Sequence, residues 1–168
     1  MRGFLLKQIL KRFGLVHVYS ENMNNYAVKM LDDIIYLYCI DVKFNVVMLA
    51  LNDIMLDSMM ALDLGAELPK VEGLSYEKEL PKAYIENGYS LIKSSEGYMK
   101  AYTLVKEGKE CLTFVRITYL KDEIFGVNQM TITKEVATAA VKHLSKVAFK
   151  GNFDEYYKNY KESGRCEY

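Results

Sequence analysis

Along the first fifteen residues, apolar side chains recur at helical intervals. Phe4, Leu5, Leu6, Ile9, Leu10 and Phe13 share a stripe, Lys7, Lys11 and Arg12 fall outside it, and Gly14 closes the segment. Residues 3–13 therefore read as a short basic amphipathic helix. Leu15 to Tyr19 is rich in β-formers and reads as a short strand. Ser20, Asn24 and Asn25 are N-cap types for a helix running to about Tyr38, with Val28, Leu31, Ile34, Ile35 and Tyr38 on one face. The run IIYLYCI within that stretch favours a strand, so both readings stand there. Asp41 is then the expected cap of a long helix from Val42 to Leu64, ended by Gly65 ahead of Pro69. Its apolar residues occupy nearly every angle, which predicts burial on all sides or a packed interface with a second copy.

Residues 66–89 hold both prolines, Gly73 and Gly88, and read as a connecting segment with one short helix around Tyr76 to Glu86. From Tyr89 the period becomes two. YSLIKSS, GYMKAYTLVKE, ECLTFVRITYL and IFGVNQMTIT are four candidate strands separated by short turn signals, and short connections demand antiparallel neighbours. Thr133 opens a final helix through Lys150, on which Val136, Ala140, Val141, Leu144, Val147 and Ala148 form a core stripe; residues 151–168 are a tail. No internal repeat is visible. The expected fold is a single α+β domain over 1–168: a helical portion at about 3–64, the connecting segment 66–89, and a four-stranded antiparallel meander closed by a helix over 89–150.

Composition adds two features. Fourteen Tyr with no Trp and two Pro suit half-buried sheet faces and contact surfaces. The formal charge is zero, yet residues 1–19 carry four cations and no acid, residues 21–72 nine acids against three cations, and residues 93–150 ten cations against six acids. Such segregation points to electrostatically oriented association with another protein or with a second copy. Cys39, Cys111 and Cys166 lack paired spacing, so a cytoplasmic setting is expected. Polar and charged residues interrupt the most apolar stretch, and no transmembrane segment is expected.

The chemical motifs are negative. No GxGxxG, GxxxxGK[ST], HExxH or GxSxG pattern occurs, and neither cofactor nor metal is expected. A Cys111–His143 pair would need an electropositive setting to be nucleophilic, and Cys111 in an alternating strand reads instead as a small hydrophobe. Asp53 and Asp57, with Asp32 and Asp33, read as solvated helical acids.

Two patterns remain as candidate binding residues. Lys142, Lys146 and Lys150 recur every four residues on the last helix beside His143, with Arg116 on a strand as a further cation; they fit a phosphate-bearing ligand or simply a solvated outer face. Tyr98, Lys100 and Tyr102 alternate on one strand, with Phe114 and Arg116 expected on its neighbour. Aromatics interleaved with cations on an open sheet suit base stacking or a protein contact. The zero net charge and the missing RNP consensus count against nucleic acid. The N-terminal helix admits membrane-surface contact, partner contact or docking on the sheet, and docking is preferred because one short helix is a weak anchor. The chain thus reads as a non-enzymatic binding or regulatory protein of adaptor, immunity or inhibitor type. A small-ligand or nucleotide-handling domain using a sheet–helix cavity with His143, Arg116 and Lys142 is the alternative, and a nucleic-acid-binding protein comes after it.

Overall fold

A computed structural model describes residues 2–32, 34–71, 74, 78–95 and 97–147. Its elements run α1 (Arg2–Phe13), β1 (Val16–Glu21), β2 (Asn24–Leu31), β3 (Ile34–Ile40), β4 (Val46–Leu51), α2 (Asp53–Leu64), α3 (Glu79–Glu86), β5 (Ser90–Ser95), β6 (Met99–Gly108), β7 (Cys111–Leu120), β8 (Glu123–Thr133) and α4 (Lys134–Val147). The mixed α+β class and the meander β5-β6-β7-β8 match the sequence expectation. A second antiparallel sheet, β1-β2-β3-β4, was not expected.

That first sheet replaces two predicted helices. The segment expected to be helical up to Tyr38 is the hairpin β2–β3, and at Ile34–Ile40 the alternative strand reading of IIYLYCI holds; apolar residues pair across the hairpin, as in Val28 opposite Leu37 and Met30 opposite Ile35. The turns beside it contain no Gly or Pro: Asn22, Met23 and Asp32 themselves adopt positive φ. The long helix predicted from Val42 to Leu64 is in fact β4 followed by α2. Asp41 caps no helix; its carboxylate accepts from the amides of Lys43 and Asn45 at 2.8 and 2.9 Å and so builds the turn into β4. Asn52 is the true cap, its side-chain oxygen accepting from the Met55 amide at 2.9 Å. Apolar residues occupied every helical angle because only Asp53–Leu64 of that stretch is helix and Val46–Leu51 is a strand.

The element order helix, four strands, helix occurs twice, and the register shows that the two units correspond in detail. α1 and α3 end alike: Leu15 donates to the Leu10 carbonyl and Tyr89 to the Tyr84 carbonyl, each after a glycine at positive φ, Gly14 and Gly88. The first strand of each meander carries one bulge, skipping Val18 in β1 and Ile92 in β5. Counting along the ladders, Val28 matches Val105, Leu37 matches Phe114, and Leu49 matches Met130. Thr133 repeats the role of Asn52, its hydroxyl accepting from the Val136 amide at 3.4 Å.

Matching positions feed one shared core. Leu37, Leu49, Met55 and Met59 pack with Phe114, Met130, Val136 and Ala140, and α2 lies chiefly against α4. Burying each of these larger side chains stabilises by about 1.5–3 kcal/mol. α4 also packs on β1, so it closes both sheets rather than the meander alone. Residues Met55 to Ala61 of α2 are buried within the chain, which removes the reason for expecting that helix to seek a second copy. Outer layers complete the fold: Leu6, Ile9 and Leu10 of α1 cover Leu15, Ala27 and Ile40, and Leu80, Tyr84 and Ile85 of α3 cover Leu91, Tyr102 and Tyr119.

Candidate protein-binding surface

Two connections meet at one end of the second sheet. Gly97 and Tyr98 lead into β6, and β7 reaches β8 through Lys121 and Asp122, at φ 49° and 68°. Two consecutive residues of this kind match the twist of the flanking strands. For side chains other than glycine the conformation costs on the order of 1–2 kcal/mol per residue. Side chains brace it. Lys78, just before α3, donates to the Asp122 carboxylate at 2.6 Å and stands 5.4 Å from the Tyr119 ring centre. The Lys121 ammonium lies 5.7 Å from the ring centre of Tyr98, which joins the two connections. The hydrogen bond from Lys78, and then its charge, hold the Asp122 carboxyl below the ordinary range, with Lys100 adding to the effect.

β8 enters this end irregularly. Gly126 lies opposite Thr118 and Ile124 opposite Tyr119, so Phe125 is a bulged extra residue. Beside it α3 packs on β5 and β6, with Leu80 against Tyr119. Large apolar side chains are left in solvent: Tyr98 is 70% exposed, Phe125 65%, Ile124 54% and Met99 43%. Aromatic and thioether groups of this kind, rimmed by Lys100, Lys121 and Asp122, have the composition of protein contact surfaces.

Of the expected site residues, Lys100 and Tyr102 alternate along β6 and Tyr98 directly precedes it, but of the three only Tyr98 is exposed. Tyr102 is buried beneath α3, edge-on to Tyr119 with ring centres 5.8 Å apart. Lys100, opposite Tyr119, is half-buried. Arg116 lies on the other face, because it pairs with Thr103, whose neighbour Tyr102 points the opposite way. The expected aromatic–cation face shared by Tyr98, Phe114 and Arg116 thus does not form. The Arg116 guanidinium donates to the Ala50 carbonyl at 2.6 Å and to the Thr103 hydroxyl, and it touches the Met55 sulfur. Burial lowers its pKa, and among the described residues it forms no ion pair.

On α4, Lys142 and Lys146 are exposed and His143 is half-buried, its pKa lowered by burial and then by Lys146. Lys150 lies outside the described residues. Asp57, expected in solvent, is buried on α2, while Asp53 pairs with Lys93 at 3.3 Å. Among the described residues no three His, Cys, Asp or Glu gather as metal ligands. No described helix is long and apolar enough to cross a membrane. Burial raises the Cys39 thiol, which makes it a poor nucleophile. A groove of about 560 Å³ does exist, between residues 67–71, the start of β5 and the end of β6, with Lys70 and Lys106 on its rim and none of the expected site residues in it.

Sequence reasoning missed Phe125, Ile124 and Met99. A signal was present in Ile-Phe-Gly directly after Lys-Asp-Glu, where two large apolar residues follow a turn without a polar alternate. No protein-family model matches the chain, and no curated protein matches it.

Proposed function

We propose that this chain is a non-enzymatic binding or regulatory protein, of the adaptor, immunity or inhibitor kind, that engages another protein through the end of its second sheet. The observation that carries this reading is the exposure of Tyr98, Ile124 and Phe125 at the sheet end beside the braced, strained turn Lys121–Asp122. Aromatic anchors that are already held in place lose little freedom on binding, so they contribute much of an interface's free energy. A cytoplasmic setting is part of the proposal, supported by the free thiols of Cys39 and Cys111.

The test is affinity capture from the native host with the parent protein and with a Tyr98→Ala, Phe125→Ser variant. Stoichiometric recovery of one protein by the parent, reduced at least about tenfold in a variant of unchanged melting temperature, supports the reading. Equal recovery by both defeats it.

A second reading rests on the groove at Lys70 and Lys106, whose size suits a small ligand. Native mass spectrometry of the purified protein decides it: a retained small molecule, lost on Lys106→Glu substitution, favours ligand handling. Nucleic-acid binding draws less support, since Arg116 is committed to Ala50 and Tyr102 is covered.

A further inference from the structure

We infer that α1 attaches this protein, reversibly, to the surface of an anionic lipid bilayer. The argument begins with the correspondence between α1 and α3, which cover matching positions of the two sheets and end in the same hydrogen-bonded turn. α3 shows what covering a sheet requires. Its Leu80, Tyr84 and Ile85 all pack inward, its outward residues are Glu79, Lys82, Ala83 and Glu86, and it exposes no large apolar side chain. α1 meets the same requirement with Leu6, Ile9 and Leu10, and then carries a surplus that covering does not explain.

That surplus has a definite chemistry. Phe4, Lys7 and Lys11 follow one another at i, i+3 and i+7 as an exposed line on the helix, about a third of a turn from Leu6 and Leu10 and facing away from Ile9. Phe4 is 65% exposed at one end and Phe13 55% at the other, with Leu5 also in solvent. Beside this line runs an open recess of about 680 Å³ lined by Leu5, Ile9, Arg12 and Phe13. Lys7, Lys11 and Arg12 form no ion pair among the described residues, and the sequence holds no acid before Glu21. Lys29 of β2 stands beside Gly14 and adds a cation at the helix end, and the exposed Lys43 precedes Phe44, which packs under α1.

Unpaired cations in a row exclude a second α1 as the occupant, because like charges would meet. They complement a surface of closely spaced anions. Phe4 supplies the wedge that enters the headgroup boundary, and the neighbouring lysines reach phosphate or carboxylate groups. One short helix gives weak, salt-sensitive attachment rather than a permanent anchor.

The experiment is flotation of the full-length protein with vesicles of phosphatidylcholine alone and of phosphatidylcholine with roughly a third phosphatidylserine. We expect binding to the anionic vesicles only, falling as salt is raised. Lys7→Glu with Lys11→Glu reduces it at least about tenfold, and Phe4→Ser weakens it at every salt concentration. These side chains are exposed, so circular dichroism and the melting temperature stay unchanged; Lys82→Glu, at an exposed lysine of α3, serves as the variant that leaves binding intact. Equal binding to both vesicle types, no binding to either, or full binding by the charge-reversed variant overturns the inference. So does binding to soluble polyglutamate without binding to anionic vesicles, which would make the partner an acidic protein.

Discussion

The Tyr26 hydroxyl donates to the Thr131 carbonyl at 3.1 Å, linking a strand of the first sheet to a strand of the second. Ladder counting makes Ala50 the counterpart of Thr131, and Ala50 is the acceptor of Arg116. The two sheets thus hold each other by matching carbonyls reached in opposite directions. Tyrosine is the donor one way and arginine the other. Because the arginine bond is charge-assisted and its donor is largely buried, it is the stronger of the two.

Arg116→Met is therefore expected to cost about 2–3 kcal/mol, since it strips a charged bond and leaves a carbonyl without its donor. Tyr26→Phe is expected to cost about 1 kcal/mol. Urea unfolding of both variants checks the order; a cost for Tyr26→Phe equal to that of Arg116→Met would contradict the assignment.

On α4, Leu144 is buried at 2% exposure while Lys146 faces solvent. Leu144→Ala should lower stability by roughly 2–4 kcal/mol through a cavity, and Lys146→Ala should change it by less than about 0.5 kcal/mol. Thermal melts of the two single variants separate these outcomes.

Gly108 faces Cys111 across the β6–β7 hairpin, and a methyl group there would come within 2.6 Å of the Cys111 sulfur. Gly108→Ala is expected to cost roughly 1–3 kcal/mol by overpacking. Adding Cys111→Ala makes room, so the double variant should be more stable than Gly108→Ala alone. Failure of that rescue would mean that the sulfur is not the obstacle.

Alkaline pH should weaken the fold. Burial, followed by the neighbouring Cys39 and Glu21, raises the Tyr26 hydroxyl above the ordinary tyrosine value of 10.0. Burial raises Tyr38, Tyr89 and Tyr119 in the same direction. A folded state that holds these protons more tightly than the unfolded chain is fully favoured below that ordinary value and loses the advantage as pH rises past it. Melting temperatures taken from about pH 8 to pH 11 should fall, and Tyr26→Phe should fall less steeply than the parent.

How much of this was legible depended on whether local pattern and final partner agreed. α1, β5 to β8 and α4 were readable because each has a clean period, a polar turn or a capping residue such as Thr133 at its border. Of the first sheet only β1, and β3 as one of two readings, showed in the sequence. Its turns at Asn22, Met23 and Asp32 use left-handed residues that are not glycine, so nothing in the composition marked them. The second copy of the helix–sheet–helix unit escaped notice because matching core positions hold different side chains, as with Leu37 and Phe114 or Met59 and Ala140. Packing conserves volume and face, not identity. In the candidate surface, Tyr98 and Lys100 were visible as an alternating pair, whereas Arg116 was assigned to the wrong face. Which face a strand residue occupies depends on register, and register is a property of two strands.

The bulges at Val18 and Ile92 bear on how these molecules behave when crowded together. Both sit on the outermost strand of their sheet, where the backbone has no neighbouring strand on one side. An intruding chain that tried to zip along β1 or β5 would keep its hydrogen-bond rhythm for only two or three residues before the extra residue threw it out of step. The β1 and β5 edges are in this way fitted with an interruption against strand exchange and fibril growth along them.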